Sequence, residues 1–163
     1  MRALAVLAVV FLIFPLLLLA VGQFGFLRGS PPSERGLRAG KLKPPSPTTN
    51  SVSSQAASWP AGEFKVEYAT IEPLRFSGDP VAAMNRLREV LEAWPGATLV
   101  EDRPDYIAVE FETRWLRFVD DAEFLLDPAA RVIDVRSQSR LGSSDFSVNR
   151  RRIEALRRKL DLR

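Results

Sequence analysis

The N-terminus opens with a long uncharged stretch that leaves only part of the chain for a folded domain. Residues 3–22 carry no charged side chain, and the apolar character continues from Phe24 to Leu27. About 20–25 such residues are enough to cross a hydrocarbon core of roughly 30 Å as a helix. Pro15 lies inside the stretch, and membrane helices tolerate an internal proline. The sequence therefore predicts a single-pass membrane protein anchored by residues 3–27.

A cleaved signal peptide is the competing interpretation of residues 1–27. Arg2 precedes the apolar run, and the small residues Ala20 and Gly22 lie near its end, as in such peptides. The run is long for a signal peptide and continues past that site, so its length favours an uncleaved anchor. The chain has no cysteine, which excludes attachment through a lipidated cysteine.

Residues 28–61 are rich in proline, serine and glycine and predict an extended, basic tether. Its basic residues are either solvated or in contact with anionic lipid headgroups, at about 1 kcal/mol each near a membrane surface. Taken literally, the excess of basic residues after the apolar stretch keeps the following domain in the cytoplasm. The basic residues concerned are Arg28, Arg35, Arg38, Lys41 and Lys43.

The residue types that are missing limit the chemistry. Among the 163 residues there is no cysteine and no histidine. This excludes disulfides, thiolate nucleophiles and cysteine-ligated metals, and it excludes a Ser-His-Asp triad and histidine-ligated metals. The sequence predicts no metal site and no cofactor. Because basic residues are not interleaved with aromatic residues in a recognisable module, we expect no nucleic-acid partner.

Residues 62–163 predict a single α+β domain. Alternating residues at 64–71 indicate a first strand, and Asp79 with Pro80 begins a helix. Further strands are predicted at 97–101, 105–112, 116–126 and 131–138, with a final helix from about Ser147. The order β-α-β-β-β-β-α favours an antiparallel sheet of about five strands with two helices packed on one face.

The last two strands predict a hairpin. If residues 127–130 form its loop, Phe124 pairs with Ile133 and Asp120 with Ser137. One face of the hairpin is then largely apolar and the other mostly charged, as in a half-buried sheet. Asp120 falls on the apolar face, where a carboxylate needs a partner.

Three segments, taken in order, resemble the bacterial and plastid family catalogued as domain of unknown function 1499: Arg117–Phe124, Val135–Phe146 and Val148–Ile153. Three shorter segments also fit: Leu74–Pro80, Trp94–Ala97 and Asp105–Tyr106. The resemblance covers roughly residues 42–160. It implies a small α+β domain, often exported or membrane-linked, and no established activity. We accordingly expect an extracytoplasmic domain, with the cytoplasmic side as the alternative.

One departure from the family pattern concerns its N-terminal segment. Family members often begin with a segment resembling C-P-x-x-P-N-C-V-S-S. Here Pro45 and Ser51 occupy the two cysteine positions, while Asn50 and residues 52–54 are kept. Any thiol or metal chemistry implied by that cysteine pair cannot operate in this chain.

Four carboxylates near the hairpin are the most reactive-looking set: Asp120, Asp121, Glu123 and Asp145. Such oxygens can bind Ca²⁺ or Mg²⁺ or perform acid–base chemistry. Strand alternation, however, points Asp120 away from Asp121 and Glu123. The favoured interpretation is that Asp120 and Asp121 bind arginines and fix the hairpin against the last helix.

A second cluster surrounds the loop that leads into the last helix. A helix N-terminus offers free N–H groups and a positive dipole end. Arg150, Arg151 and Arg152 lie in its first turn, where the dipole disfavours cations, so they require acidic partners or a bound anion. The candidate polar or anion pocket comprises Asp120, Arg136, Ser137, Ser139, Arg140, Asp145, Asn149 and Arg150.

Two functional hypotheses follow. The first is a membrane-tethered, non-enzymatic domain that binds a protein partner or an envelope component. The alternative is an anion-binding or hydrolytic enzyme that uses Asp120, Asp121 and Asp145 with the arginine cluster. The identity of the ligand does not follow from the sequence.

Overall fold

The computed structural model describes residues 2–60 and 62–160, with side chains from residue 11 onward. Helices are α1 (Arg2–Gln23), the short α2 (Val66–Ala69), α3 (Pro80–Glu92) and α4 (Val148–Leu160). Strands are β1 (Leu37–Arg38), β2 (Lys41–Leu42), β3 (Ser51–Ser53), β4 (Leu74–Arg75), β5 (Ala97–Asp102), β6 (Tyr106–Glu112), β7 (Val119–Asp127) and β8 (Val132–Ser139). A 3-10 turn covers Ala56–Ser58.

A six-stranded sheet organises the domain. Its strands lie in the order β3-β8-β7-β6-β5, and β4 also pairs with β8, along the edge that β3 occupies. All of these strand pairs are antiparallel. Helices α3 and α4 pack on one face, which we call the inner face, over the main apolar core. The predicted α+β class with an antiparallel sheet is confirmed.

The predicted start of α3 is also present. The Asp79 carboxylate accepts hydrogen bonds from the N–H groups of Val81 and Ala82, at 3.3 and 3.1 Å. Pro80 occupies the first helical position, where no N–H is required. The helix then buries Met84, Leu87 and Leu91 against the sheet, which is the apolar stripe that helical spacing predicts.

Helix α1 contains 22 residues, including Pro15. Among the residues with described side chains, none forms a helix long and apolar enough to cross a membrane. The predicted anchor at residues 3–27 begins with side chains 3–10, which lie outside the described part. The predicted transmembrane helix is therefore not supported here.

The predicted register of the last hairpin is wrong by two residues. Phe124 pairs with Val135 and Asp120 with Ser139, so the loop comprises residues 128–131. Arg131 adopts a left-handed φ of 54° and therefore belongs to the turn. A shift of two residues keeps every side chain on its predicted face, so Asp120 still points to the inner face.

The first predicted strand, residues 64–71, is also wrong. The segment contains α2, and Phe64 and Ala69 are buried with Ala56 in a small separate cluster. Alternation alone does not make a strand. One edge of β8 is occupied by β3 and β4, and the segment joins β3 through an isolated bridge between Thr70 and Ser53.

Of the predicted tether at 28–61, the described residues 28–60 are not extended but form a layer of the domain. β3 pairs with β8 through Ser51–Gln138 and Ser53–Arg136. Leu42 is fully buried against the second face of the sheet, which we call the outer face, with Tyr106, Ala108 and Leu125. The predicted domain start at residue 62 therefore lies too far along the chain. The tether was predicted from composition alone, and a segment rich in proline and serine can equally form a closely packed coil.

Replacing Leu42 with alanine tests this packing. The cavity and lost burial should lower the free energy of unfolding by about 2–4 kcal/mol. Leu37→Ala is the matched control, because Leu37 is exposed and its loss should cost about 0.5 kcal/mol or less. The measurement is urea unfolding of the full chain in detergent micelles. Equal, small effects of both variants would contradict a packed layer.

Candidate functional site

The outer face of the sheet carries a layer of ion pairs. Glu110 on β6 and Asp121 on β7 share Arg140, whose Nη2 and Nε lie 2.6 and 2.7 Å from their carboxylate oxygens. Arg35, from the N-terminal segment, also binds Glu110 at 2.6 Å and lies 3.6 Å from Asp121. The two carboxylates raise the pKa of Arg140, mainly through its hydrogen bond with Asp121. Each buried charge therefore has an opposite charge in contact.

Glu123 is the centre of the neighbouring group on the same face. It accepts hydrogen bonds from the Tyr106 hydroxyl at 2.6 Å and the Gly36 N–H at 3.0 Å. Arg136 lies 3.3 Å from its other oxygen. Burial, with a smaller effect of Glu123, raises the pKa of Tyr106. Burial also lowers the pKa of Arg136, although Glu123 and Asp121 oppose this effect.

The five basic residues predicted to contact lipid differ in their surroundings. Arg28 pairs with Glu112, and Arg35 is part of the ion-pair layer. Lys43 donates to the carbonyl oxygen of Glu34, and burial lowers its pKa. The two remaining residues, Arg38 and Lys41, are exposed. A polar cleft of about 270 Å³ lies between this segment and the end of β8, and it includes Arg38 and Lys43.

The inner face carries a different polar network, centred on the fully buried Asn149 of α4. Its Nδ2 donates to Ser139 Oγ at 3.0 Å, to Asp145 Oδ2 at 2.8 Å and to the Asn50 carbonyl at 3.2 Å. Its Oδ1 accepts a hydrogen bond from the Ser137 hydroxyl at 2.5 Å. One side chain thus joins α4 to β8 and to the segment before β3.

Asp145 caps the N-terminus of α4. Its carboxylate accepts from the N–H groups of Ser147 at 2.8 Å and Asn149 at 3.0 Å, and from the Tyr68 hydroxyl. Burial by itself would raise the pKa of Asp145. The hydrogen bonds from Tyr68, Asn149 and Ser147 outweigh burial and hold the pKa below its ordinary value. The carboxylate is therefore ionised and fully engaged within the fold.

The arginines of the first turn of α4 have separate partners. Arg152 binds the buried Asp120 and stands over the Phe111 ring at 4.7 Å. Arg150 donates to the carbonyl oxygens of Tyr68 and Thr70, at 2.5 and 2.8 Å. The acidic partner that the dipole argument demands is present for Arg152 in the form of Asp120.

The sheet divides the eight predicted pocket residues into two groups. Asp120, Ser137, Ser139, Asp145 and Asn149 lie in the inner-face network, with Arg150 beside it. Arg136 and Arg140 lie on the outer face, because residues 136, 138 and 140 alternate with 137 and 139 along β8. Among the described residues, no group of three or more acidic side chains is placed to hold a metal ion.

Sequence reasoning missed several members of both groups. The outer-face partners Glu110 and Arg35, and the inner-face partners Tyr68 and Arg152, were not proposed as site residues. Arg152 carried a usable signal, since it was one of three arginines in need of an acidic partner. Tyr68 carried none, because its segment was predicted as a strand.

An apolar groove of about 300 Å³ opens beside these networks. Its walls come from the β6–β7 loop and from the segment between β8 and α4, chiefly Phe118, Val119, Leu141, Phe146 and Val148. Its polar floor consists of Asp120, Ser139 and Asp145, whose hydrogen-bonding and ionic partners lie within the protein. Apolar side chains are therefore what the groove offers to a ligand.

The end of α1 lies against the same loop. A side chain on Gly22 would meet the Leu116 backbone at 2.7 Å, and Gln23 Nε2 donates to the Trp115 carbonyl at 2.8 Å. Gly29 lies similarly close to the side chains of Arg140 and Leu141. The N-terminal segment therefore approaches both loops that wall the apolar groove, and it does so closely enough that neither glycine has room for a Cβ.

Replacing Asp145 with asparagine tests the cap. We expect a loss of about 2–3 kcal/mol at pH 7, because a charged acceptor of several hydrogen bonds is removed. The lowered pKa means that its stabilisation exists above about pH 4 and is lost as the pH falls through the folded value. The difference from wild type should therefore shrink in acid, as urea unfolding from pH 3 to 7 would measure.

Asp105→Asn is the control for that experiment, because the Asp105 side chain is largely exposed. It should leave stability nearly unchanged across the same pH range. A D145N curve parallel to wild type at all pH values would contradict the lowered pKa.

Comparison with known proteins identifies the family. Residues 41–160 match the model of the protein family of unknown function DUF1499, in agreement with the resemblance of the motif residues. No curated protein and no solved structure matches the chain. Since the match covers more than half of the 163 residues, the chain belongs to the DUF1499 family.

Proposed function

We propose that this chain is a membrane-tethered, non-enzymatic domain that binds a protein partner or an envelope component through the apolar groove. The observation that carries the proposal is the position of that groove, which opens beside the loop contacted by the end of α1. Its volume of about 300 Å³ lies at the low end for ligand pockets. A ligand in it would contact mainly apolar side chains.

The tether rests on the sequence of α1. Residues 3–22 are uncharged, and 22 helical residues extend for about 33 Å at 1.5 Å per residue, roughly the thickness of a hydrocarbon core. We further propose that the domain lies outside the cytoplasm. Arg28 and Arg35 support this orientation, because both are bound to acidic residues of the domain. Counting them as free positive charges therefore overstates the basic excess that would keep the domain in the cytoplasm.

An anion-binding or hydrolytic enzyme is the second candidate. The polar cleft favours anion binding, because Arg38 and Lys43 line it and neither belongs to an ion pair within residues 2–60 and 62–160. Hydrolysis has less support. Asp120 and Asp145 face one side of the sheet and Asp121 the other, and all three are engaged by donors within the protein.

Replacing Arg140 with methionine distinguishes a structural arginine from a catalytic one. If Arg140 holds the fold, its loss leaves Asp121 without its main partner and removes one of the two arginines bound to Glu110 at 2.6 Å. This should cost about 3–5 kcal/mol. The control is Arg86→Met, which removes an exposed pair with Glu89 and should cost about 0.5 kcal/mol or less. Urea unfolding measures both. An R140M chain of unchanged stability would remove the structural role and favour the enzyme.

Protease accessibility tests the tether and its orientation together. The full chain carries a C-terminal tag in a bacterial host, and protease is added to intact spheroplasts. We expect a full-length, membrane-bound product whose tag is digested. A protected tag would place the domain in the cytoplasm, whereas a shortened, released product would contradict the anchor.

A further inference from the structure

Exposed aromatic side chains lie on the segments that form the apolar groove and at the end of α1 that contacts one of them. Phe146 is 83% exposed and Trp115 is 63% exposed, and they belong to the two segments that form the walls. Phe24 and Phe26, just after α1, are exposed as well. Exposed aromatic surface, where it is contiguous, marks contact with a protein, a membrane or a ligand.

The backbone holds Phe146 outward at a cost. Phe146 and Ser147 have φ angles of 49° and 64°, a left-handed conformation that is unfavourable for residues other than glycine. Such strain persists only where the surroundings enforce it, and it concentrates at functional sites. Here the hydrogen bonds from Ser147 N–H and Asn149 N–H to Asp145 enforce it.

Two cations accompany the aromatic rim. The Arg114 guanidinium lies 5.0 Å from the centre of the Trp115 ring, and Arg151 donates to the Phe146 carbonyl at 2.7 Å. Neither forms an ion pair in the described part of the chain. Aromatic rings with nearby arginines are typical of surfaces at the level of lipid headgroups.

We propose that the apolar groove binds one acyl chain of an anionic phospholipid, drawn from the membrane that holds α1. This rests on the proposed function, since it takes α1 as the anchor. The contacts of Gly22 and Gln23 with the Leu116 and Trp115 backbone place the groove close to where that anchor ends. Phe118, Leu141 and Phe146 then contact the chain, and Arg114 and Arg151 contact the headgroup.

Photocrosslinking of the full chain tests this proposal. The protein is reconstituted in vesicles of phosphatidylcholine and phosphatidylglycerol, the latter carrying a diazirine near the end of one acyl chain. After illumination, adducts are mapped by mass spectrometry. We expect adducts in α1 and also on the groove walls, residues 118–119 and 141–148.

A groove-filling variant tests whether the wall adducts come from lipid inside the groove. Ser144 lines the groove and is exposed, so Ser144→Trp should remove the wall adducts while those in α1 persist. Ser143→Trp is the matched control, because Ser143 is exposed but does not line the groove. Wall adducts that survive equally in S144W would overturn the proposal, because they would come from bilayer contact outside the groove.

Substitutions of Phe146 and of the two arginines test the contacts proposed for the acyl chain and the headgroup. Phe146→Ser should weaken labelling of the walls roughly tenfold or more, the loss expected for one large apolar contact. Val81→Ser, another exposed apolar residue on α3, should leave labelling unchanged. Arg114→Gln combined with Arg151→Gln should abolish the preference for labelled phosphatidylglycerol over an equally labelled phosphatidylcholine. A retained preference would overturn the headgroup assignment.

The same map of adducts distinguishes failure of the acyl-chain site from failure of the membrane tether. Adducts in α1 without adducts on the groove walls would overturn the acyl-chain site and leave the tether standing. A chain that washes off the vesicles in alkali, without adducts in α1, would overturn the tether itself.

Discussion

The fold depends on neutralising carboxylates that lie under a layer of chain on the outer face of the sheet. Glu110, Asp121 and Glu123 project from β6 and β7 towards the N-terminal segment, which covers them and contacts them through Arg35 and Gly36. An unpaired charge in such a position is costly. Arg136 lies on β8 and Arg140 directly follows it, but Arg35 and the Gly36 N–H come from the N-terminal segment. The sheet therefore cannot be separated from the residues that precede it without exposing or stranding these charges.

This arrangement gives the domain two unequal cores. The larger, between the inner face and helices α3 and α4, is apolar and includes one buried amide network at Asn149. The smaller, on the outer face, consists of Leu42, Tyr106, Ala108 and Leu125 surrounded by ion pairs. Hydrophobic burial drives the first, whereas complementarity of charge decides what can cover the second. The apolar groove lies beside the inner-face network, from which Asp120, Ser139 and Asp145 reach it.

The sequence was informative wherever local chemistry decides the structure. Asp79 and Pro80 identify the start of α3, and alternation along β7 assigns Asp120 to its correct face. It failed where the outcome depends on distant partners. The left-handed Arg131 belongs to the hairpin turn, so the register differs by two residues from the prediction. The segment at 64–71 contains the short α2 although its alternation predicts a strand. The basic residues at 28–43 resembled a solvated tether, since the acidic residues that bind Arg28 and Arg35 lie some 75 to 84 positions away. The candidate pocket was split for the related reason that adjacent strand residues point to opposite faces.

The pairing of β3 with β8 has a consequence for how the domain assembles. Asn50, immediately before β3, donates to the carbonyl of Ser139 at the end of β8, 89 positions later. Contacts between segments so far apart require a large loop to close before they contribute anything, which slows folding. Chains are synthesised from the N-terminus, so residues 28–54 emerge from the ribosome well before the strands that they cover. Until β8 has been made, β3 has no strand to pair with, so the N-terminal layer can be completed only after the rest of the sheet has been synthesised.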